Sequence, residues 1–212
     1  MATQAPAPAS AAPHPLQHTW VLWEQLSGDK KGGAHSKEEW ENLQKKVCSF
    51  STVEDFFRYY KNLPPPSDVF YDGKTRKRVG AVGEERTIES FSLFKDGVDV
   101  AWEDPANIRG GEWVIRKSMK PHELNTYWEN LVYGLIGQTI ENGDYITGAR
   151  VVDKSNAKGS GSGCIIRVEL WLRTSDQALR TQLRDNMIEV MTDGMSDRAS
   201  DLANDFTWRK HG

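Results

Sequence analysis

The chain is short of cysteine, with only Cys48 and Cys164 in 212 residues. Two isolated thiols build neither a disulfide framework nor a cysteine metal cluster, so a reducing compartment is the expectation. Long apolar runs are missing too, and none approaches the ~18 residues of a membrane span. His14, His18, His35, His122 and His211 are scattered through stretches that read as tails and loops. No serine or cysteine sits in a nucleophile motif, and neither a P-loop nor a dinucleotide-binding glycine fingerprint occurs. "GSGSG" precedes a strand, not a helix, and reads as linker. Nor does one sign of charge dominate. Twenty-seven Lys and Arg stand against 30 Asp and Glu, for a net charge of -3. That excludes a bulk polyanion binder and leaves room for a small basic pocket. The N-terminus lacks a basic stretch followed by an apolar one, so no signal peptide is expected. Nothing here demands an enzyme, and no cofactor or metal is expected.

What is abundant is tryptophan, at 8 residues. Most are expected in the core, where large aromatics usually lie. Trp102 is different, because it stands beside Glu103 in "AWEDPANIRGGEW". Val98, Val100 and Trp102 alternate as along a strand. Asp104, Pro105, Asn107, Gly110 and Gly111 then read as a loop. The pair is therefore expected where a strand opens into a loop, a common place to meet ligands. A Trp face stacks on a purine, and more strongly when the ring is cationic. A carboxylate beside it can accept from the N1 and N2 edge of guanine through charge-assisted bonds. Adenine lacks that donor pair.

Along the chain, residues 1–14 are Ala/Pro-rich and read as a disordered tail. Thr19 to Leu26 reads as a strand, with Trp20 and Trp23 on opposite faces. "STVEDFFRYYKNL" reads as a helix capped by Thr52 and stopped by Pro64 to Pro66. Ser67 to Glu85, with its "KTRKR" cluster, reads as a solvated surface loop. "SFSLFKDGVDVAW" predicts two short strands around an Asp-Gly turn. "EWVIRK", "YITGARVV", "CIIRVELWLR" and "FTWRK" read as further strands. "PHELNTYWENLVYGLIGQTI" predicts a helix with Pro121 in its first turn and Leu124, Trp128, Leu131 and Leu135 on one stripe. "SDQALRTQLRDNM" predicts another. Residues 187–200 fit either an extension of that helix or a short strand. Runs of strands interrupted by three helices predict an α+β fold, an antiparallel sheet with helices on one face.

Several ordered motifs resemble the eukaryotic translation initiation factor 4E family, the mRNA cap binders. They are "HPLQ..W.LW" (His14 to Trp23), "TVEDF", "SLFKDG", "WED", "RGGEW", "LIG" (Leu135 to Gly137) and the Trp of "RVELW". The resemblance runs from about residue 14 to residue 211 and identifies the chain as similar to that family. It implies a curved antiparallel sheet of about eight strands with three helices packed on the convex face. It implies a cap-binding domain over residues 15–212, binding of the 7-methylguanosine 5′ cap, and recruitment of the mRNA for translation initiation. A translational repressor or interaction paralogue with weak cap affinity is the first alternative, and a cap- or nucleotide-modifying enzyme the second. A cytoplasmic location, with a nuclear fraction, goes with this resemblance.

By that resemblance Trp40 and Trp102 stack on the cap base, Glu103 reads guanine, and Trp171 touches the methyl group. Lys154, Lys158 and Arg167 are the expected phosphate contacts, with Arg109 beside Gly-Gly as in the family. "SKEEWENLQKKV" reads by itself as an amphipathic helix with a Ser36/Glu39 capping box. The resemblance instead puts Trp40 on a loop. Glu112 stands where the family is often basic. The implied partners are capped mRNA, including more heavily methylated caps, and a scaffold initiation factor 4G-type protein or a 4E-binding protein on the convex helical face. His14, Pro15, Val53, Phe57, Glu129, Asn130, Tyr133 and Ile136 would form that surface. The 64–87 insertion and a short 187–200 region point to a divergent, protist-type paralogue.

Overall fold

The computed structural model describes residues 12–28, 37–82, 85–155, 164–195 and 202–212. Its strands are β1 (Pro15–Leu26), β2 (Gln44–Thr52), β3 (Arg78–Val79), β4 (Arg86–Lys95), β5 (Gly111–Ser118), β6 (Ile146–Asp153), β7 (Ile165–Leu172) and β8 (Thr207–Lys210). They form one 8-stranded sheet in the order β2-β1-β4-β6-β7-β5-β8, with β3 added on β4. Every pairing is antiparallel, and the sheet is curved. The helices are α1 (Lys37–Leu43), α2 (Val53–Tyr60), α3 (Pro66–Val69), α4 (Pro121–Gly137) and α5 (Gln177–Met191). The expected α+β architecture is present, with two short helices added to the three long ones.

The period of two along each strand divides the molecule. Trp20, Leu22, Phe91, Leu93, Trp113, Ile115, Ile166, Val168 and Leu170 point into the main core. There they meet Phe56 of α2, Leu124, Trp128, Leu131 and Leu135 of α4, and Leu183, Met187 and Ile188 of α5. Each fully buried aliphatic or aromatic side chain contributes about 1.5–3 kcal/mol. The opposite face carries a smaller cluster of Phe94, Val100 and Trp171, flanked by Trp23, Trp40 and Val98. Trp20 and Trp23 thus lie on opposite faces, as their spacing predicts.

Helix ends follow local chemistry. The Thr52 hydroxyl accepts from Asp55 N–H at 3.1 Å, and the Asp176 carboxylate accepts from Leu179 N–H at 2.8 Å. Both satisfy backbone donors that a first turn leaves open. Pro121 opens α4, where its missing N–H costs nothing.

Three expectations are corrected and one open alternative is decided. The Asp-Gly turn is present, with Gly97 at φ 80°, but Val98 to Trp102 forms no strand. The chain leaves the sheet there because β1 and β6 already flank β4 on both edges. Trp40 lies on α1 instead of a loop, and that helix stops at Leu43 because Gln44–Thr52 pairs with β1. The 67–85 stretch is not a plain surface loop, since Val69 and Phe70 are buried and Arg78–Val79 pairs with β4. The helix after Asp176 runs through "MIEVM" to Met191. The expected tail is described only from residue 12, and residues 196–200 lie outside the described residues.

Candidate ligand-binding site

On the face away from the long helices, alternate strand residues mix polar and aromatic side chains where the core face is apolar. β1 presents Trp23 and Gln25, β4 presents Ser90, Ser92 and Phe94, β6 presents Arg150 and Val152 with Lys154 just past its end, and β7 presents Arg167, Glu169 and Trp171. The loop 101–110 and helix α1 rise above this floor. Between them lies a cavity of about 530 Å³. Its lining includes Trp40, Trp102, Glu103, Lys154, Arg167 and Trp171, together with Gln25, Glu89 and Arg150.

The loop that carries Trp102 is built from within. The Asp104 carboxylate accepts from Asp99 N–H at 2.9 Å and from Ala106 N–H at 2.7 Å. The buried Asn107 amide donates to the Asp99 and Ala101 carbonyls at 3.1 and 2.9 Å. Gly110 closes the loop against the sheet, where a Cβ would meet the Leu172 carbonyl oxygen at 1.8 Å. So fastened, Trp102 holds its ring 56% exposed. An exposed, immobilised indole is a stacking platform whose ordering cost is met before any ligand arrives. The Glu103 carboxylate beside it is exposed and has no hydrogen-bond or ion-pair partner among the described residues. Trp40 faces the same cavity from α1, half-buried against Trp23 and Val100.

The floor is an ionic network. Glu169 is completely buried. Its carboxylate takes the Trp171 indole N–H at 2.8 Å, the Arg167 guanidinium at 2.5 Å and that of Arg150 at 3.5 Å. Arg150 also donates to Ser92 at 3.1 Å and Gln25 at 3.0 Å. Burial pushes the Glu169 carboxyl up, but Arg150, Arg167 and the Trp171 N–H together outweigh it and hold the group below the usual carboxylate range. Lys154 is shifted the other way. Burial of its stem pushes its pKa below that of a free lysine, and Arg167 and Arg150 push in the same direction. Arg167 keeps its Nε buried without a hydrogen-bond partner among the described residues. Such crowded, incompletely neutralised cations favour an incoming anion.

His211 braces the two tryptophans. Its ring lies 4.5 Å from Trp171 and, nearly parallel, 6.3 Å from Trp102. Its Nδ1–H donates to the Asn107 carbonyl at 3.1 Å. The buried Glu112 carboxylate sits 3.8 Å from its Nε2 and 4.0 Å from Arg209. Glu112 is therefore engaged with the last strand.

Six of the expected ligand-contact residues thus converge. Trp171 is only 1% exposed, so little of its ring is open to the cavity. Arg109 does not join them. It is exposed at the end of the Trp102 loop and is absent from the cavity lining, because the loop turns back at Gly110. Lys158 lies outside the described residues. Sequence reasoning missed Arg150, Glu169, Gln25, Glu89 and His211. The alternation of Arg167, Glu169 and Trp171 was a readable signal for Glu169, whereas nothing local marks His211.

The second expected surface lies on the helical face. His14 Nδ1 lies 2.6 Å from Glu54 Oε1, and the Val53 N–H donates to the His14 carbonyl at 2.9 Å, so the chain before β1 is latched to α2. The His14 side chain leads the causes that lower the Glu54 carboxyl to about 2. Phe57 and Tyr133 are 38% and 39% exposed, with ring centroids 6.2 Å apart. The Tyr133 hydroxyl donates to Glu129 at 2.7 Å, and its pKa is pushed up to about 12 by burial and by that carboxylate. Glu129 therefore already has a neutral partner. Two expected members are otherwise employed: Ile136 is buried in the core, and the Asn130 amide caps the end of α5 through the Met191 and Asp193 carbonyls. His14, Pro15, Phe57, Glu129 and Tyr133 stay exposed, with Val53 half-buried.

The family model "Eukaryotic initiation factor 4E" matches residues 15–200. The sequence is 32% identical over 160 residues to eukaryotic translation initiation factor 4E1 of Drosophila melanogaster, covering 74% of this chain and 49% of that protein. It is 29% identical over 199 residues to eukaryotic translation initiation factor 4E of Dictyostelium discoideum, covering 94% and 68%. Measured on the Drosophila relative, the match spans about half the length, 49%. The fold is similar to the complex of C. elegans eIF4E-3 with the 4E-binding protein Mextli, at TM-score 0.68 and 22% identity over 94% of each chain. It is also similar to Ascaris suum eIF4E-3 with an m2,2,7G cap, at TM-score 0.64 and 25% identity over 95% of this chain and 93% of that one. No helix among the described residues is long and apolar enough to cross a membrane.

Proposed function

Because the chain belongs to the eukaryotic initiation factor 4E family, we propose that it binds the 7-methylguanosine 5′ cap of mRNA and recruits the message for translation initiation by docking scaffold proteins. The observation that carries this reading is the meeting of Trp40, Trp102, Glu103, Lys154, Arg167 and Trp171 around one cavity of about 530 Å³. The cationic base inserts between Trp40 and Trp102 and gains a cation–π term that unmethylated guanine lacks. Glu103, which has no partner among the described residues, accepts from N1–H and N2–H. The N7-methyl lies against Trp171. The phosphates run toward Lys154 and Arg167. The chain acts as a binder instead of an enzyme, in residues 15–212 behind a short tail, in the cytoplasm with a nuclear fraction.

The C. elegans and Ascaris relatives at 25% identity were solved with Mextli and a cap analog, and with an m2,2,7G cap. A trimethylated cap and a protein partner on the helical face are proposed for this chain on that support. The partner surface centres on the exposed Phe57 and Tyr133 rings beside His14 and Pro15.

A fluorescence titration tests the central reading. 7-methyl-GTP should quench tryptophan emission saturably, and GTP should bind about two- to thirtyfold more weakly, since a lost cation–π contact costs about 0.5–2 kcal/mol. Equal affinity for both nucleotides would overturn it.

A further inference from the structure

The insertion that the sequence presents as a charged loop is a hook, and its tip grips the strand end that carries Lys154. Val69 and Phe70 sink into the core, with Phe70 stacked 5.8 Å from Phe91. The chain then reverses on Asp72, whose carboxylate accepts from Lys74 N–H and Thr75 N–H, both at 2.7 Å. That turn returns Arg76 to the end of β6. There the Asp153 side chain, 1% exposed, gathers two backbone donors and one guanidinium. Tyr71 N–H reaches it at 3.1 Å, Ser155 N–H at 2.8 Å, and Arg76 Nε pairs with it at 3.1 Å. The other end of the Arg76 guanidinium donates to the Ser155 carbonyl. Residues 153 and 155 are thereby held on both sides of Lys154, whose own N–H donates to the Ile165 carbonyl at 2.8 Å.

We propose that Arg76 is a positioning residue for the phosphate end of the cap site: through Asp153 and Ser155 it presets the backbone from which Lys154 reaches the cap phosphates. This rests on the cap-binding reading above. The physical reason for a clamp lies in its neighbours. Strand β6 ends at Asp153, and Lys154 is crowded by Arg167 and Arg150. Like charges would drive the ammonium away from Arg167 unless the backbone beneath it were fixed. A guanidinium suits this task because its planar fork engages a carboxylate and a carbonyl at once, which an ammonium cannot do with the same geometry. The insertion supplies that fork from outside the sheet, so the phosphate site does not depend on β6 alone.

The test uses the full chain with 7-methyl-GTP and with 7-methylguanosine. Arg76→Ala should weaken 7-methyl-GTP about tenfold while changing the nucleoside less than about twofold, since a small misplacement of a positioned group costs tenfold or more. In a Lys154→Ala background the same change should cost nothing further, because an effect exerted through Lys154 disappears with it. Losses that add in the double variant would mean that Arg76 meets phosphate itself, and would overturn the proposal. So would equal losses for the two ligands. Arg76→Lys, which keeps the charge without the fork, should recover only part of the affinity and carries the test if Arg76→Ala does not fold. Amide hydrogen exchange of the ligand-free variants decides the clamp apart from cap binding. Faster exchange confined to Lys154, Ser155 and their neighbours is expected, and unchanged exchange there overturns the clamp. Absence of any cap binding by the wild type would instead remove the cap-binding reading.

Discussion

Replacing Glu169 by Gln probes the most heavily engaged group in the site. The carboxylate is fully buried and neutralises Arg167 and Arg150. Removing one partner from a buried ion pair costs about 3–5 kcal/mol, because the remaining charge is stranded. Two features place this case at the low end. Arg150 retains its bonds to Ser92 and Gln25, and the Arg167 side chain is 19% exposed and can turn partly to water. The expected loss is about 3 kcal/mol. For a domain of this size that lowers Tm by about 6–12 °C. The pH dependence adds a second check. The folded carboxyl is held below its ordinary 4.5, so its contribution is complete above pH 4.5 and is lost as pH falls through the folded value. Urea melts of wild type and Glu169→Gln should therefore differ by the full amount at pH 7 and converge in acid below pH 4.5. Equal stabilities at pH 7, or a gap that stays constant into acid, would refute the assignment of Glu169 as the charged centre of the floor.

Trp102→Ala and Trp40→Ala should each weaken 7-methyl-GTP at least tenfold with the fold intact by circular dichroism, since stacking contributes about 1–3 kcal/mol per base; wild-type affinity in a folded variant removes that residue from the slot. Glu103→Ala should narrow the preference for 7-methyl-GTP over a methylated adenine nucleotide by the roughly 1.5–3 kcal/mol of a charged hydrogen bond; an unchanged ratio dismisses Glu103 as the base reader. The pKa of Lys154 lies below the ordinary 10.5, so its positive charge, and with it the extra affinity for triphosphate over nucleoside, should fade as pH rises through that lowered value. Titrations from pH 7 upward should show this fading in wild type and not in Lys154→Met. For the helical face, Phe57→Ala should abolish capture of a helical 4E-binding peptide in a pull-down, because interface energy concentrates in aromatic anchors; undiminished capture places the partner elsewhere.

Much of this protein was legible from residue order because it depends on neighbours in sequence. The strand period set Trp20 against Trp23, and the same alternation put Arg167, Glu169 and Trp171 on one face. Thr52 and Pro121 marked helix starts through local capping chemistry. Trp102 beside Glu103, where a strand pattern gives way to loop residues, marked the exposed pair that lines the cavity. The errors came where a distant segment outcompeted a local signal. "SFSLFKDGVDVAW" has the pattern of a hairpin, but β1 and β6 occupy both edges of β4, so the second arm has no edge to pair with. The helix begun at Lys37 would run further by its own periodicity, but pairing with β1 converts Gln44–Thr52 to strand. Only the tertiary fold could bring His211 under Trp102, join Arg150 to Glu169, or deliver Arg76 to Asp153 across 77 positions of chain, counted from 76 to 153. Pattern reports which face a residue presents, whereas these contacts follow from strand order and from the path of the 67–85 segment, which no short window of sequence encodes.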